Sequence, residues 1–127
     1  MTEREMTGNE IVVRDFISAW SRLDAAELAS FFSEDGIYHN MPTRPAQGRA
    51  NVRDLIRGFI SSWTETEWEI RNLLCAGNLV IVERLDRTKA GARSVDLPCT
   101  GVFELEGGKI KRWRDYFDLA TYQRGIG

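Results

Sequence analysis

Leu79-Val80-Ile81-Val82-Glu83-Arg84-Leu85-Asp86-Arg87-Thr88 is the stretch on which the fold turns. Side chains along a strand alternate between faces with a period of two. One face therefore carries Val80, Val82, Arg84, Asp86 and Thr88, and the other Leu79, Ile81, Glu83, Leu85 and Arg87. A face that begins with two valines and continues with an arginine and an aspartate points inward and brings charge with it. Gly77-Asn78 precedes the stretch, and Gly107-Gly108 lies downstream; both are hairpin turn signals. Around them, Trp68 to Leu74, Ser94 to Leu105 and Lys109 to Phe117 also read as strands.

Upstream the period changes to that of a helix. Val12, Val13, Phe16, Ile17, Trp20 and Leu23 recur at helical spacing. Asp24 and Glu27 form a capping-box pattern at the start of a short second helix, with Leu28, Phe31 and Phe32 as its apolar face. Asp35-Gly36 reads as a turn, and Ile37 to Met41 as a short strand ended by Pro42. From Gly48 a third helix is expected, carrying Val52, Leu55, Ile56, Phe59, Ile60 and Trp63. Leu119 to Tyr122 reads as a closing helical turn. Helices first and antiparallel strands after define an α+β domain, a strongly curved sheet with helices on one side. Such a sheet can enclose a pocket.

A chain of 127 residues suits one domain. That length buries roughly two-thirds of the unfolded surface, enough for a core without metal or disulfide staples. With 17 basic and 19 acidic residues and a net charge of −2, there is no nucleic-acid footprint and no polybasic run for a membrane. Met1 to Glu5 has no apolar signal core, and no stretch reaches the ~20 apolar residues of a membrane span. A cytoplasmic protein is expected. Cys75 and Cys99 form no C-x-x-C pair and read as small buried side chains. His39 is the single histidine and has no companions at metal-ligand spacing; nucleotide-binding glycine motifs are absent. No metal and no cofactor are expected.

Charged and polar residues on inward faces supply the candidate chemistry. Arg84 and Asp86 sit beside valines, where unpaired charge is costly. Asp115 lies between Trp113 and Phe117 on one face of its strand. Tyr38 and Asn40 share a face and offer a phenol and an amide, both able to bind water. On the residues alone, blander readings stay open. Arg84 and Asp86 could form a structural pair, Asp115 could be solvated at a sheet edge, and Tyr38 could fill core. His39 points away from Tyr38 and Asn40.

Taken in order, the motifs resemble the limonene-1,2-epoxide hydrolase family. They are Tyr38-His39-Asn40-Met41-Pro42, Gly48-Arg49, Glu83-Arg84-Leu85-Asp86, Gly101-Val102-Phe103, Gly108-Lys109-Ile110 and Trp113-Arg114-Asp115-Tyr116-Phe117-Asp118. The resemblance runs from about Val12 to Tyr122. It implies the cone-shaped, mixed but mostly antiparallel sheet of nuclear transport factor 2 and ketosteroid isomerase, over residues 1–127, and a homodimer. It places an Asp–Arg–Asp triad on Asp86, Arg84 and Asp115, and a water-holding pair on Tyr38 and Asn40. The implied reaction is hydrolysis of a small apolar epoxide by activated water, with Asp115 as base and Asp86 as acid. Phe59, Trp63, Val82, Leu97 and Phe117 are expected to line the pocket. The alternatives are an isomerase or polyketide cyclase on the same fold, or a non-catalytic binding domain.

Overall fold

Leu23 closes one helical segment and Asp24 opens the next. Leu23 just before it takes a left-handed conformation (φ 51°), and the Asp24 carboxylate then accepts from the Glu27 backbone N–H at 3.0 Å. Glu27 does not return the bond as a capping box would; its carboxylate pairs with Arg22 instead. The computed structural model describes residues 8–126. Met1 to Glu5, where no signal core is expected, lies outside them. Helix α1 (Gly8–Ala19) continues into a single 3-10 turn, and α2 (Ala25–Ala29) follows. Strands β1 (Phe32–Asn40) and β2 (Ala46–Gln47) precede helix α3 (Arg49–Ile60). Strands β3 (Glu65–Ala76), β4 (Leu79–Ala90), β5 (Arg93–Glu106) and β6 (Lys109–Tyr116) form a meander, and α4 (Leu119–Gly125) ends the fold.

The six strands make one sheet in the order β2-β1-β6-β5-β4-β3. β3 to β6 pair antiparallel, and β1 pairs parallel with β6, so the sheet is mixed. The expected α+β class and mixed, mostly antiparallel sheet are therefore observed. Gly77 (φ 60°) and Gly107-Gly108 (φ 59° and 77°) hold the left-handed backbone that tight hairpins require. Among the described residues no helix is long and apolar enough to cross a membrane.

Three expectations need correction. Phe32 belongs to β1 and not to the second helix, and Asp35-Gly36 is not a turn. β1 runs through both residues, with a register irregularity between Phe32 and Ile37. A Cβ at Gly36 would stand 3.0 Å from the Phe32 side chain, so the glycine permits a bulge here. Trp63 lies beyond the end of α3, in the link to β3.

The core lies between the helices and the concave face of the sheet. Phe16 is its centre: Trp20, Phe31, Phe32, Phe103 and Trp113 meet it edge-on, with ring centroids 5.1 to 6.0 Å away. Along β4, Val80, Val82, Arg84, Asp86 and Thr88 are all buried, as the period of two requires. The opposite face of the sheet leaves Leu74, Leu79, Ile81 and Tyr116 exposed.

Candidate active site

Three neighbouring strands and one more place the polar residues. Parallel pairing sets Asn40 of β1 beside Asp115 of β6, and Tyr38 beside Trp113. Antiparallel pairing sets Asp115 opposite Gly101 of β5, and Gly101 opposite Val82 of β4. Arg84 and Asp115 are thus on strands separated by β5. The Arg84 side chain spans that gap. Its Nε donates to Asp86 Oδ1 (2.9 Å) and Nη2 to Asp86 Oδ2 (2.9 Å). Nη1 donates to Asp115 Oδ1 and Nη2 to Asp115 Oδ2, both at 2.8 Å. Each carboxylate is therefore gripped by two N–H groups of one guanidinium, the strongest arrangement available to such pairs. Arg84 is 1 % exposed, and its guanidinium carbon lies 4.4 Å from the centre of the Trp68 ring.

Gly101 makes the crossing possible. A Cβ there would stand 3.0 Å from Arg84 Nη1 and 2.8 Å from Trp113 Nε1. Gly101→Ala is expected to push the guanidinium off Asp115. The loss is about 1–3 kcal/mol of stability together with most of the activity. Denaturant midpoints and a rate measured on the same preparation check both parts.

Burial raises Asp115 above the ordinary carboxylate range, and the Arg84 charge opposes that rise. Burial alone would lower Arg84; Asp115 and Asp86 outweigh it and hold the guanidinium well above its ordinary value. One cation between two carboxylates leaves a net negative charge in a dry site if both ionise. Burial, then the Asp115 charge, pushes the Tyr38 phenol well up, so it stays protonated.

Asp86 and Asp115 both face a narrow cavity of about 30 Å³, with Arg84 behind them. Tyr38, Asn40, Phe59, Trp63, Leu97 and Phe117 line it. Val82 does not: it is wholly buried in the main core, one register step deeper than Arg84. Trp20, Trp68, Cys99 and Tyr122 also line the cavity and are additions to the expected wall. Trp68 alternates onto the inward face of β3, a placement its strand period can reveal. Tyr122 carries no such signal, because α4 folds back over the cavity and Trp63 Nε1 donates to the Tyr122 hydroxyl at 2.9 Å.

Asn40 is 1 % exposed, and among the described residues neither its amide oxygen nor its nitrogen has a hydrogen-bond partner. A buried amide with both ends free, on a cavity wall, is a ready site for a bound water or a polar substrate atom. Tyr38 is fixed beside it by stacking on Trp113, with ring centroids 4.2 Å apart and planes 7° from parallel. His39 points elsewhere and bonds the Thr43 carbonyl. Asp118 caps α4 through Thr121. Arg84 fills the space between the two carboxylates.

These features accompany a clear relationship. The model of the limonene-1,2-epoxide hydrolase catalytic domain matches residues 7–126. Epoxide hydrolase EphG of Mycobacterium tuberculosis is 28 % identical over 114 residues, covering 90 % of this chain and 76 % of that protein. The solved structure of an M. tuberculosis LEH-like epoxide hydrolase superposes with a TM-score of 0.81 at 28 % identity, covering 97 % of this chain and 92 % of the other. An NTF2-like protein of unknown function from Burkholderia pseudomallei gives a TM-score of 0.84 at 23 % identity, covering 95 % and 98 %, and shows the shared fold. This chain belongs to the limonene-1,2-epoxide hydrolase family.

Proposed function

We propose that this chain is an epoxide hydrolase that converts small apolar epoxides to vicinal diols by one-step attack of water. One observation carries the reading: a buried guanidinium bridges two carboxylates that face an aromatic cavity, and the unpartnered amide of Asn40 lies on the same wall. In the proposed reaction Tyr38, Asn40 and Asp115 hold the water. Asp115 takes a proton from it as the water oxygen bonds to an epoxide carbon and the ring C–O bond breaks. Asp86 gives its proton to the departing oxygen, which would otherwise leave as a poor alkoxide leaving group. The proton on Asp115 then returns to Asp86, and the site is reset. Asp115 pairs in register with Asn40, which makes it the carboxylate next to the held water. Arg84 keeps the pair at a fixed separation and balances its charge through both halves of the transfer. Ring strain drives the opening, so the mechanism calls for no cofactor. The reading takes residues 1–127 as one catalytic domain acting in the cytoplasm as a homodimer, with a second copy over the exposed face of Leu74, Leu79, Ile81 and Tyr116.

The test is incubation with a panel of small epoxides and detection of diols. Activity toward none of them would refute the reading. The cavity is narrow, about 30 Å³, and its walls are aromatic, so compact cyclic or aryl epoxides should be preferred over charged ones. Phe59→Ala or Trp63→Ala should admit bulkier epoxides and change kcat/KM ratios between large and small substrates by tenfold or so, given the ~1–3 kcal/mol worth of a pocket methylene or more. Unchanged ratios would remove both residues from the substrate wall.

A further inference from the structure

We infer that Cys99 is a positioning residue for the proposed acid: its thiol turns from the Leu97 carbonyl to Asp86 Oδ2 as Asp86 gives up its proton. The inference rests on Asp86 being the proton donor. Its geometric basis is independent of that role. Cys99 lies on β5 opposite Arg84, is 4 % exposed, and lines the same cavity as Asp86 and the unpartnered Asn40. Its Sγ is 3.4 Å from Asp86 Oδ2 and 3.5 Å from the Leu97 carbonyl oxygen. A thiol has one proton and can serve only one of these acceptors at a time.

Charge decides which acceptor it serves. A carboxylate accepts more strongly than a neutral carbonyl, and a protonated carboxyl is the weaker rival. The S–H bond to Asp86 therefore strengthens only as the proton leaves for the epoxide. An interaction that grows along the reaction coordinate lowers the barrier, not merely the ground state. Nothing is transferred at sulfur. The Asp86 proton goes to the epoxide oxygen, the water proton goes to Asp115, and Cys99 keeps its own. Burial, with the Asp86 charge adding to it, pushes the thiol well above its ordinary value, so thiolate does not compete with water for the epoxide. The other groups facing Asp86 are Arg84 on β4 and Asp115 on β6. The phenols of Tyr38 on β1 and Tyr122 on α4 stand across the cavity, and Trp68 on β3 brings no charge.

Removing the thiol donor makes the ionised form of Asp86 less favourable. Asp86 then gives up its proton less readily. Cys99→Ala and Cys99→Val should both move the alkaline limb of the kcat profile upward by about 0.5–1 pH unit and lower kcat about three- to tenfold, with KM little changed. Val refills the space without a donor, which separates this effect from packing. Cys99→Ser keeps a donor for the same two acceptors and should hold the wild-type limb and most of kcat. A Val variant that matches wild type, or a Ser variant that matches Val, would overturn the inference. A second readout does not need turnover: the infrared S–H stretch of Cys99, recorded in Cys75→Ser protein. It should fall in frequency across the same alkaline limb and stay fixed when Asp86→Asn is added. A band that ignores pH in the Asp86 protein would also overturn it. Failure of the hydrolase reading itself would appear separately, as absence of diol from the unmodified enzyme.

Discussion

Asp86→Asn and Asp115→Asn are each expected to lower kcat by more than ~10⁴, and the double variant is expected to be scarcely worse than either. A lone general acid or base is worth about 10²–10⁴. Here the two carboxyls share one guanidinium and one proton inventory. Removing either ends both halves of the transfer, and groups that act as a unit are far from additive. Asn is close to isosteric and still accepts from Arg84, so the fold should survive; circular dichroism and a denaturation curve verify that. The measurement is steady-state kcat on the best epoxide from the panel. Losses that add in the double variant would mean the two carboxyls act separately.

Arg84→Ala is expected to cost about 3–5 kcal/mol of stability at neutral pH, as breaking a buried ion pair does. Two buried carboxyls, 5 % and 3 % exposed, would face each other without a cation. The sign with pH follows from this. Without Arg84 the folded state holds protons on these acids more tightly than the unfolded chain. Stability should therefore be recovered at low pH and lost as pH rises past the ordinary carboxylate range. Adding Asp86→Leu and Asp115→Leu to Arg84→Met should restore much of the loss, because well-packed apolar replacements of buried ionic clusters are often neutral or better. That triple variant would be stable and inactive, which would separate the cluster's chemical use from any stabilising one. Urea denaturation at several pH values measures each step. A pH-independent deficit would mean that the loss is packing and not charge.

The period of two makes much of this site legible in the sequence. It puts Arg84 and Asp86 on the inward face of β4 beside Val80 and Val82, and all four are buried there. It also pairs Tyr38 with Asn40 and sets His39 opposite. Alternation says which way a side chain points but not how deep along the strand the cavity begins. Val82 and Arg84 share a face, yet Val82 lies in the closed core and Asp86 at the cavity. The contact between Arg84 and Asp115 is not legible from local pattern at all. It depends on the registers of β4 and β6 against β5 and on β5 lacking a side chain at Gly101, both long-range facts. Motif resemblance supplies what local pattern does not. The misplaced turn at Asp35-Gly36 has a local cause. The dipeptide that favours a turn also serves a bulge within a continuous strand. β2, only Ala46–Gln47, is too short to leave a periodic signal.

Water held by Tyr38, Asn40 and Asp115 attacking the epoxide carbon directly is the central claim. Hydrolases that attack with a carboxylate form an ester first, and water then cleaves that ester. The two routes differ in where a solvent oxygen first appears. A single turnover in oxygen-18 water, with enzyme in excess over epoxide, reads this by mass spectrometry of diol and protein. Direct attack places one labelled oxygen in the diol at once and leaves the protein unlabelled. An unlabelled diol from that first turnover, with oxygen-18 found in Asp86 or Asp115, would contradict it.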